Sequence, residues 1–173
     1  MMLKEIYTEE IDSISYVSSG EVAVGNSNEI LMTSPLGSCV AVIAYAPFSR
    51  TGGIAHVMLP GHYSGKQKEN NQFKYARDAI SYLVYKLQKI GAEHNDLQFS
   101  LVGGANVLRK KGCNIGNEII KSVNHILSEN KALIKASSLG GFQRRTAKLD
   151  IKSGIVFYTL GNSREMMLCN FNE

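Results

Sequence analysis

The amino-acid sequence predicts an α/β layered sandwich with a mixed or antiparallel sheet and two main helices. Apolar residues recur at helical spacing over residues 72–90 and 116–129, which predicts one amphipathic helix in each segment. Shorter β-prone runs lie before, between and after these segments. Because strands and helices alternate only in the middle of the chain, and two helices are too few for a doubly wound parallel sheet, a layered α/β class is favoured.

The strand predictions rest on short apolar runs bounded by turn residues. Residues 40–45 are continuously apolar, which is typical of a strand buried on both faces. A turn is predicted over residues 47–53, and a hairpin turn at Lys152-Ser153-Gly154. The predicted strands cover residues 16–25, 40–45, 54–59, 97–102, 132–137, 146–151 and 154–160. The tail from Gly161 has no assignment.

Capping residues support both predicted helices. Asn70 or Asn71 is predicted to cap the first helix and Gly91 to end it, whereas Asn114 is predicted to cap the second. The length of 173 residues suits one domain with a sizeable core. We expect a single domain over residues 1–173, with its core at about residues 20–160.

Composition and charge favour a globular protein over a nucleic-acid or membrane protein. Hydrophobic residues make up 44% of the chain, and the net charge is +4. The basic residues are scattered, except for the pairs Lys110-Lys111 and Arg144-Arg145, which are interpreted as solvated surface. No apolar run reaches the roughly 20 residues of a membrane span, and the charged N-terminus differs from a signal peptide. We expect a cytoplasmic location, no nucleic-acid partner and no membrane insertion.

The three cysteines lack the pattern of a disulfide framework or a metal site. Cys39, Cys113 and Cys169 are widely spaced, and an odd number leaves at least one thiol unpaired. No close pair of the kind that binds zinc is present. We expect reduced thiols and no metal or organic cofactor. Cys113 and Cys169 have no candidate base nearby in the sequence and are interpreted as bystanders.

Cys39 is the candidate nucleophile because it lies where a Gly-Ser turn meets the buried strand of residues 40–45. The strand fixes the backbone at this position, and Gly37 leaves room for a substrate. The backbone N–H groups from Gly37 through Ser38 to Cys39 are candidates for an oxyanion hole. A reactive thiol needs a partner that lowers its pKa, and histidine is the usual one.

His56 is the favoured base among the four histidines. It lies on the strand predicted after the 47–53 turn, and it faces Cys39 if the hairpin is centred between Pro47 and Phe48. A bulge near residues 52–53 would absorb a small offset. The alternative interpretation of the same two residues is a small core cysteine and a structural histidine.

Five motifs in chain order carry a family resemblance that spans roughly residues 20–158. They are Thr33-x5-Cys39 inside Leu36-Gly37-Ser38-Cys39-Val40-Ala41-Val42, then Gly52-Gly53-Ile54-Ala55-His56-Val57-Met58-Leu59-Pro60, then Gly103-Gly104-Ala105-Asn106, then Ile115-Gly116, and last Leu139-Gly140-Gly141-x2-Arg144-Arg145. Together these motifs resemble the chemoreceptor glutamine deamidase family (CheD).

The resemblance implies an α/β sandwich whose site consists of Cys39 as nucleophile, His56 as base and Thr33 as third member. It implies hydrolysis of glutamine side chains to glutamate on the cytoplasmic helices of methyl-accepting chemotaxis receptors, and binding to a CheC-type phosphatase. Three alternatives stay open. They are a weakly active binding module that regulates the phosphatase, another thiol hydrolase such as a peptidase or esterase, and a structural α/β domain.

Overall fold

The structure, a computed structural model, describes residues 13–65, 72–109, 112 and 114–173. These residues form ten strands and two α-helices. The strands are β1 (Ser13–Val17), β2 (Val22–Gly25), β3 (Glu29–Thr33), β4 (Val40–Ala46), β5 (Thr51–Val57), β6 (Gln98–Gly103), β7 (Leu133–Leu139), β8 (Arg145–Asp150), β9 (Ile155–Leu160) and β10 (Met166–Asn170). The helices are α1 (Ala76–Lys89) and α2 (Ile115–Glu129).

The strands form two five-stranded sheets, in the orders β1-β3-β8-β9-β10 and β2-β5-β4-β6-β7. Strand β1 runs parallel to β3, and β6 runs parallel to β7, so both sheets are mixed. Helices α1 and α2 pack on one face of the β2-β5-β4-β6-β7 sheet, and the other sheet covers its opposite face. The predicted α/β sandwich is confirmed, and it contains two sheets where the sequence predicted one.

Strand β4 lies in the middle of these layers, and all of its residues are buried. Val40 and Val42 pack towards the helices, whereas Ala41 and Ile43 pack into the core between the sheets. This burial on both faces explains why residues 40–45 are apolar without alternation. Each fully buried valine or isoleucine side chain stabilises the fold by about 1.5–3 kcal/mol, so β4 is a firm support for the residues at its ends.

The N-terminus of α2 follows the sequence prediction. The Asn114 side chain accepts a hydrogen bond from the Asn117 N–H at 3.1 Å. Helix α1 begins at Ala76, later than predicted, because residues 72–74 form a 3-10 turn. The caps predicted at Asn70 and Asn71 lie outside the described residues. Within those residues, no helix is long and apolar enough to span a bilayer.

Helix α1 ends as the sequence predicted. Gly91 has φ of 108°, a left-handed value that glycine adopts without strain. Its N–H donates to the Gln88 carbonyl, and the Ala92 N–H donates to the Leu87 carbonyl at 3.0 Å. These two bonds are those of a Schellman motif, which satisfies carbonyl groups that the helix leaves free.

The strand predictions need three corrections. Residues 16–25 are not one strand, because a turn at residues 18–21 divides β1 from β2, and these strands lie in different sheets. Strands β3 and β10 were not predicted. The turn predicted over residues 47–53 is shorter, since β5 already begins at Thr51. The hairpin through Lys152-Ser153-Gly154 is confirmed and joins β8 to β9.

Candidate active site

Cys39 is the last residue before β4, and two bonds from a neighbouring loop hold its backbone. The Gly104 N–H donates to the Cys39 carbonyl at 2.7 Å, and the Ala105 N–H donates to the Gly37 carbonyl at 2.8 Å. Gly103 has φ of 121°, and a β-carbon there would overlap the Cys39 carbonyl oxygen. Glycine at position 103 therefore permits the close approach that anchors the turn around Cys39.

The β4–β5 hairpin places Cys39 and His56 on one face, with a register different from the predicted one. His56 pairs with Ala41, and Ala46 pairs with Thr51, so the hairpin is centred between Phe48 and Ser49. Cys39 precedes Ala41 by two positions, which makes it a diagonal neighbour of His56 on the side of the sheet that faces the other sheet. The direct pairing that a turn centred between Pro47 and Phe48 would give does not occur, and the two residues still share a face.

The His56 side chain is fully buried, and both of its ring nitrogens have polar neighbours. Nδ1 lies 3.2 Å from the Val17 carbonyl oxygen, and Nε2 lies 3.5 Å from the Ser19 hydroxyl. A carbonyl only accepts hydrogen bonds, so Nδ1 carries the proton in this contact and Nε2 presents a lone pair. Cys39 is not among the hydrogen-bond partners of His56 in the described part of the chain.

Main-chain bonds also hold the backbone on both sides of the imidazole. The His56 N–H donates to the Glu21 carbonyl and the Gly20 N–H donates to the His56 carbonyl, each at 2.9 Å. Burial lowers the pKa of His56, while the bond to Val17 and the charge of Glu21 oppose this shift. The imidazole is therefore neutral at pH 7, as a general base must be before it accepts a proton.

Thr33, the third member of the site that the family resemblance implies, lies at the end of β3, and among the described residues no hydrogen bond joins it to His56. Its buried hydroxyl accepts a bond from the Ala147 N–H at 3.0 Å, which extends the β3–β8 ladder by one rung. The Val17 carbonyl takes the position next to Nδ1, since Val17 is the register partner of Thr33. The Ser34 N–H donates to the same carbonyl at 3.1 Å.

The Cys39 thiol is partly buried, and burial raises its pKa. A hydrogen bond with its own backbone opposes this shift. Thiol and imidazole are thus both neutral in this structure near pH 7, because a raised thiol pKa and a lowered imidazole pKa each disfavour the charged form. Cys169, on β10, is also partly buried with a raised pKa. Cys113 lies outside the described residues.

The turn before β4 offers backbone donors next to the thiol. Within the described residues, the N–H groups of Gly37 and Ser38 donate to no protein acceptor. Leu36 fixes the start of this turn, because it exchanges two backbone hydrogen bonds with Arg145, at 2.7 and 3.0 Å. Free donors on an anchored turn are the arrangement that an oxyanion hole requires.

A cleft of about 340 Å³ opens beside Gly37 and Ser38, near the lower end of the size range of ligand sites. It is bounded by the loop after β6, the start of α2 and the loop before β8. Its lining residues are Gly37, Ser38, Ala105, Asn106, Val107, Leu108, Asn114, Ile115, Gly116 and Arg144. A larger cavity of 650 Å³ lies between the helices and the start of β6, and it contains none of the predicted site residues.

The interpretation of Arg144-Arg145 as solvated surface is wrong for Arg145, because only 7% of this residue is exposed. Its guanidinium donates to the Ser138 hydroxyl at 2.9 Å and to the carbonyl groups of Gly140 and Gln143. Burial lowers the pKa of Arg145, although the side chain stays charged at neutral pH. Arg145 thus ties the β7–β8 loop to the turn that carries Cys39.

No group of three or more potential metal ligands from His, Cys, Asp and Glu occurs in the described part of the chain. The sequence did not indicate the roles of Val17 and Ser19. A main-chain carbonyl has no signature in a sequence, and Ser19 is an ordinary turn residue. One sequence feature could have indicated the buried role of Arg145, namely its position shortly after Gly140-Gly141. A glycine pair marks a loop, and the carbonyl groups of a loop need hydrogen-bond donors from elsewhere in the protein.

The fold and the site define an α/β sandwich protein with a cysteine and a histidine on one face of a β-hairpin, and with a cleft against the turn that precedes the cysteine. A family model described as CheD chemotactic sensory transduction matches residues 58–159. The chain is 38% identical, over 153 residues, to the probable chemoreceptor glutamine deamidase CheD of Chlorobium luteolum. This alignment covers 88% of this chain and 76% of that protein. The chain therefore belongs to the CheD family.

Two further relatives have the same description. The chemoreceptor glutamine deamidase CheD of Thermotoga maritima is 36% identical over 138 residues, covering 80% of this chain and 86% of that protein. The probable chemoreceptor glutamine deamidase CheD of Methanococcus maripaludis is 38% identical over 148 residues, covering 84% and 94%. These alignments extend over most of each relative, so the similarity concerns the whole domain.

Proposed function

We propose that this protein hydrolyses glutamine side chains of chemotaxis receptors to glutamate and ammonia, with Cys39 as nucleophile and His56 as base. The observation that carries the proposal is the position of Cys39 and His56 on one face of the β4–β5 hairpin, in a chain whose relatives are described as chemoreceptor glutamine deamidases. The free thiols of Cys39 and Cys169 suit a cytoplasmic enzyme.

The first half of the reaction transfers the acyl group of the glutamine to sulfur. His56 Nε2 takes the thiol proton as Cys39 Sγ attacks the carboxamide carbon, and the carbonyl oxygen becomes an oxyanion. The N–H groups of Gly37 and Ser38 bind this oxyanion, and one such donor is typically worth about 3–4 kcal/mol. The C–N bond then breaks, and ammonia leaves with the proton that His56 returns.

The second half regenerates the thiol. A water molecule attacks the thioester carbon while His56 Nε2 accepts one of its protons. The C–S bond breaks, the proton returns to Cys39, and the product is a glutamate side chain. Both halves use the same nitrogen of His56 and the same oxyanion site, so the reaction requires no metal or organic cofactor.

The proton transfer requires a hydrogen bond between His56 and the Cys39 thiol, which the structure does not show among the described residues. Nε2 has Ser19 as its neighbour at 3.5 Å, a weak contact that is readily exchanged. Catalytic hydrogen bonds are often long in unliganded enzymes and shorten when the substrate binds. We infer that substrate binding shifts Nε2 from Ser19 to Cys39, while the stronger contact with Val17 preserves the tautomer.

Thr33 joins this site as a positioning residue. Its hydroxyl holds β8 through Ala147, and the N–H of the next residue, Ser34, holds the Val17 carbonyl. Thr33 therefore acts on His56 through the backbone of β1 and not by direct contact. The substrate is a glutamine on a cytoplasmic receptor helix, and the second partner that the family resemblance implies is a CheC-type phosphatase.

A second candidate function is a weakly active binding module that regulates such a phosphatase. The observation that favours it is the neutral thiol, whose base has other partners in the resting structure. The two functions differ in one measurable property, because the module binds its partner without turnover. Both share the fold and the family.

The test is the release of ammonia from a purified receptor cytoplasmic fragment, with peptide mass mapping of each glutamine. The wild-type protein is expected to convert specific glutamines to glutamate, and Cys39→Ser and His56→Gln are expected to release none. Cys169→Ser is the matched control and should keep full activity, since Cys169 lies on β10, away from the cleft. Wild-type activity in the Cys39→Ser variant would exclude the thiol mechanism.

A further inference from the structure

Exposed apolar and basic side chains lie in two loops next to the cleft at Gly37 and Ser38. Leu108 and Phe142 expose 74% and 57% of their surface. The Arg109 guanidinium lies over the Phe142 ring, 5.1 Å from its centroid, and Arg144 lines the cleft. We call Leu108, Arg109, Phe142 and Arg144 the basic rim. It joins the loop after β6 to the loop before β8, and both loops contribute to the lining of the cleft.

The two rim arginines have no structural task comparable to that of Arg145. Arg145 is buried and donates to three groups of the protein, whereas the adjacent Arg144 is exposed. Within the described ranges, the Arg144 guanidinium makes no hydrogen bond or ion pair. Among the described residues, the cleft lining contains no aspartate or glutamate. The positive charge beside the cleft is therefore uncompensated by the residues that line it.

Arg109 also has a costly backbone conformation. Its φ is 51°, in the left-handed region that a non-glycine residue seldom adopts, and its N–H donates to the Asn106 carbonyl at 3.0 Å. This tight turn carries an exposed leucine that lines the cleft and an exposed arginine that lies over the Phe142 ring. Strained backbone of this kind tends to occur where a loop has a binding role.

We propose that the basic rim docks an acidic amphipathic helix of the substrate, in which Asp or Glu residues flank the target glutamine. Arg109 and Arg144 bind the flanking carboxylates, and Leu108 and Phe142 receive the apolar face of the helix. This assignment extends the proposed function. That the residue between the flanking carboxylates is a glutamine rests on the proposed function. The docking itself depends only on the charge and the apolar groups of the rim.

Binding is measured with the Cys39→Ser variant, which keeps the rim and cannot turn over a glutamine. Two fluorescent helical peptides carry the same apolar face and central glutamine, and differ only in flanking residues that are glutamate in one and glutamine in the other. The glutamate peptide is expected to bind several-fold more tightly at low salt. Salt is expected to reduce this difference, because exposed charges are screened.

Neutral substitutions of the rim arginines separate the effect of the basic rim on peptide binding from the effect of the net charge of the protein. Arg109→Gln and Arg144→Gln are each expected to reduce the preference for the glutamate peptide by about 2- to 5-fold, the usual effect of an exposed ion pair. Lys152→Gln is the matched control, since it removes one exposed positive charge at the opposite end of β8 and should leave the preference unchanged. Phe142→Ala is expected to weaken both peptides equally.

The outcomes distinguish the rim from the proposed chemistry. Equal binding of the two peptides, or equal effects of Lys152→Gln and Arg144→Gln, overturns the docking assignment. If the wild-type protein turns over both peptides at the same rate, the deamidase proposal is supported and the docking role of the basic rim is rejected. If binding depends on the flanking charge but neither peptide is turned over, the docking role of the basic rim is supported and the deamidase proposal is rejected. Rim-dependent binding to vesicles of phosphatidylglycerol, with neither peptide bound, would assign the charge to a lipid surface and also overturn the proposal.

Discussion

His56 Nδ1 lies 3.2 Å from the main-chain carbonyl oxygen of Val17, so a backbone group on β1 orients the imidazole that β5 carries. The carbonyl also accepts the Ser34 N–H, which fixes its direction. This contact leaves the lone pair on Nε2, the nitrogen that must take the thiol proton. The two sheets thus cooperate in the site, because one supplies the base and the other selects its tautomer.

The first prediction concerns Thr33→Val, which removes the hydroxyl and keeps the shape of the side chain. The Ala147 N–H loses its acceptor in a buried place, so the free energy of unfolding should fall by about 1–3 kcal/mol. The rate of ammonia release should fall far less than in His56→Gln, because the Val17 carbonyl still holds Nδ1. Denaturant unfolding and kcat measurements on the same samples check both parts.

Thr33→Ser is the matched variant for this test, since it keeps the hydroxyl and loses only a methyl group. Its stability should lie closer to that of the wild-type protein than Thr33→Val does. A loss of turnover in Thr33→Val as large as in His56→Gln, with unchanged stability, would mean that Thr33 contacts the imidazole directly during the reaction.

The second prediction concerns Ser19→Ala, which removes the group that competes with the thiol for Nε2. At 3.5 Å the contact is at the weak end of hydrogen bonding, so kcat/KM is expected to rise by about two- to threefold. Ser18→Ala, one residue earlier in the same exposed turn, is the control and should have no effect. A large loss of activity in Ser19→Ala alone would show that Ser19 holds His56 in place for catalysis.

The candidate site was predictable from the sequence where local pattern determines position. Cys39 stands before a run of apolar residues that had to be a buried strand, and His56 stands on the strand that follows a short turn. The exact register was not predictable, because turn residues are spread from Pro47 to Arg50 and do not mark a centre. The pairing of Ala46 with Thr51 sets the register of the hairpin, and this register places His56 opposite Ala41.

Other parts of the site depend on contacts between distant segments. The parallel pairing of β1 with β3 brings Val17 beside Thr33, and the second sheet to which they belong was not evident in the sequence. Strand β3 has only five residues, and its apolar residues Ile30, Leu31 and Met32 are consecutive and do not alternate with polar ones, so it escaped prediction. The buried guanidinium of Arg145 was likewise read as surface, because arginine is seldom buried unless the fold supplies several acceptors.

The third prediction concerns pH. Burial lowers the pKa of His56, so the base stays neutral as the pH falls through its ordinary value of about 6.5. The rate of deamidation should therefore be maintained at pH 6.5 and should decline only at lower pH, as His56 gains a proton. Measurement of kcat/KM against pH on a receptor fragment checks this, and a half-maximal rate above pH 7 would contradict it.

The raised pKa of the Cys39 thiol gives the alkaline counterpart of this prediction. Burial disfavours the thiolate, so alkylation of Cys39 by iodoacetamide in the free protein should be slow at pH 7 and should increase above about pH 8.5, the ordinary thiol value. Mass mapping of the Cys39 peptide isolates this site from the other cysteines. Maximal alkylation already at neutral pH would indicate a resting thiolate–imidazolium pair.

The fourth prediction compares the two neighbouring arginines at the start of β8. Arg145→Gln removes a buried charge that donates to Ser138, Gly140 and Gln143, so the free energy of unfolding should fall by roughly 2–4 kcal/mol. Ammonia release should fall with it, because the lost guanidinium bonds hold the β7–β8 loop, and this loop leads into residue 145, whose backbone pairs with Leu36 in the turn before Cys39. Arg144→Gln changes the same charge at an exposed position and should leave the unfolding midpoint unchanged. Equal destabilisation by the two substitutions would mean that net charge, and not the buried hydrogen bonds of Arg145, stabilises this end of the sandwich.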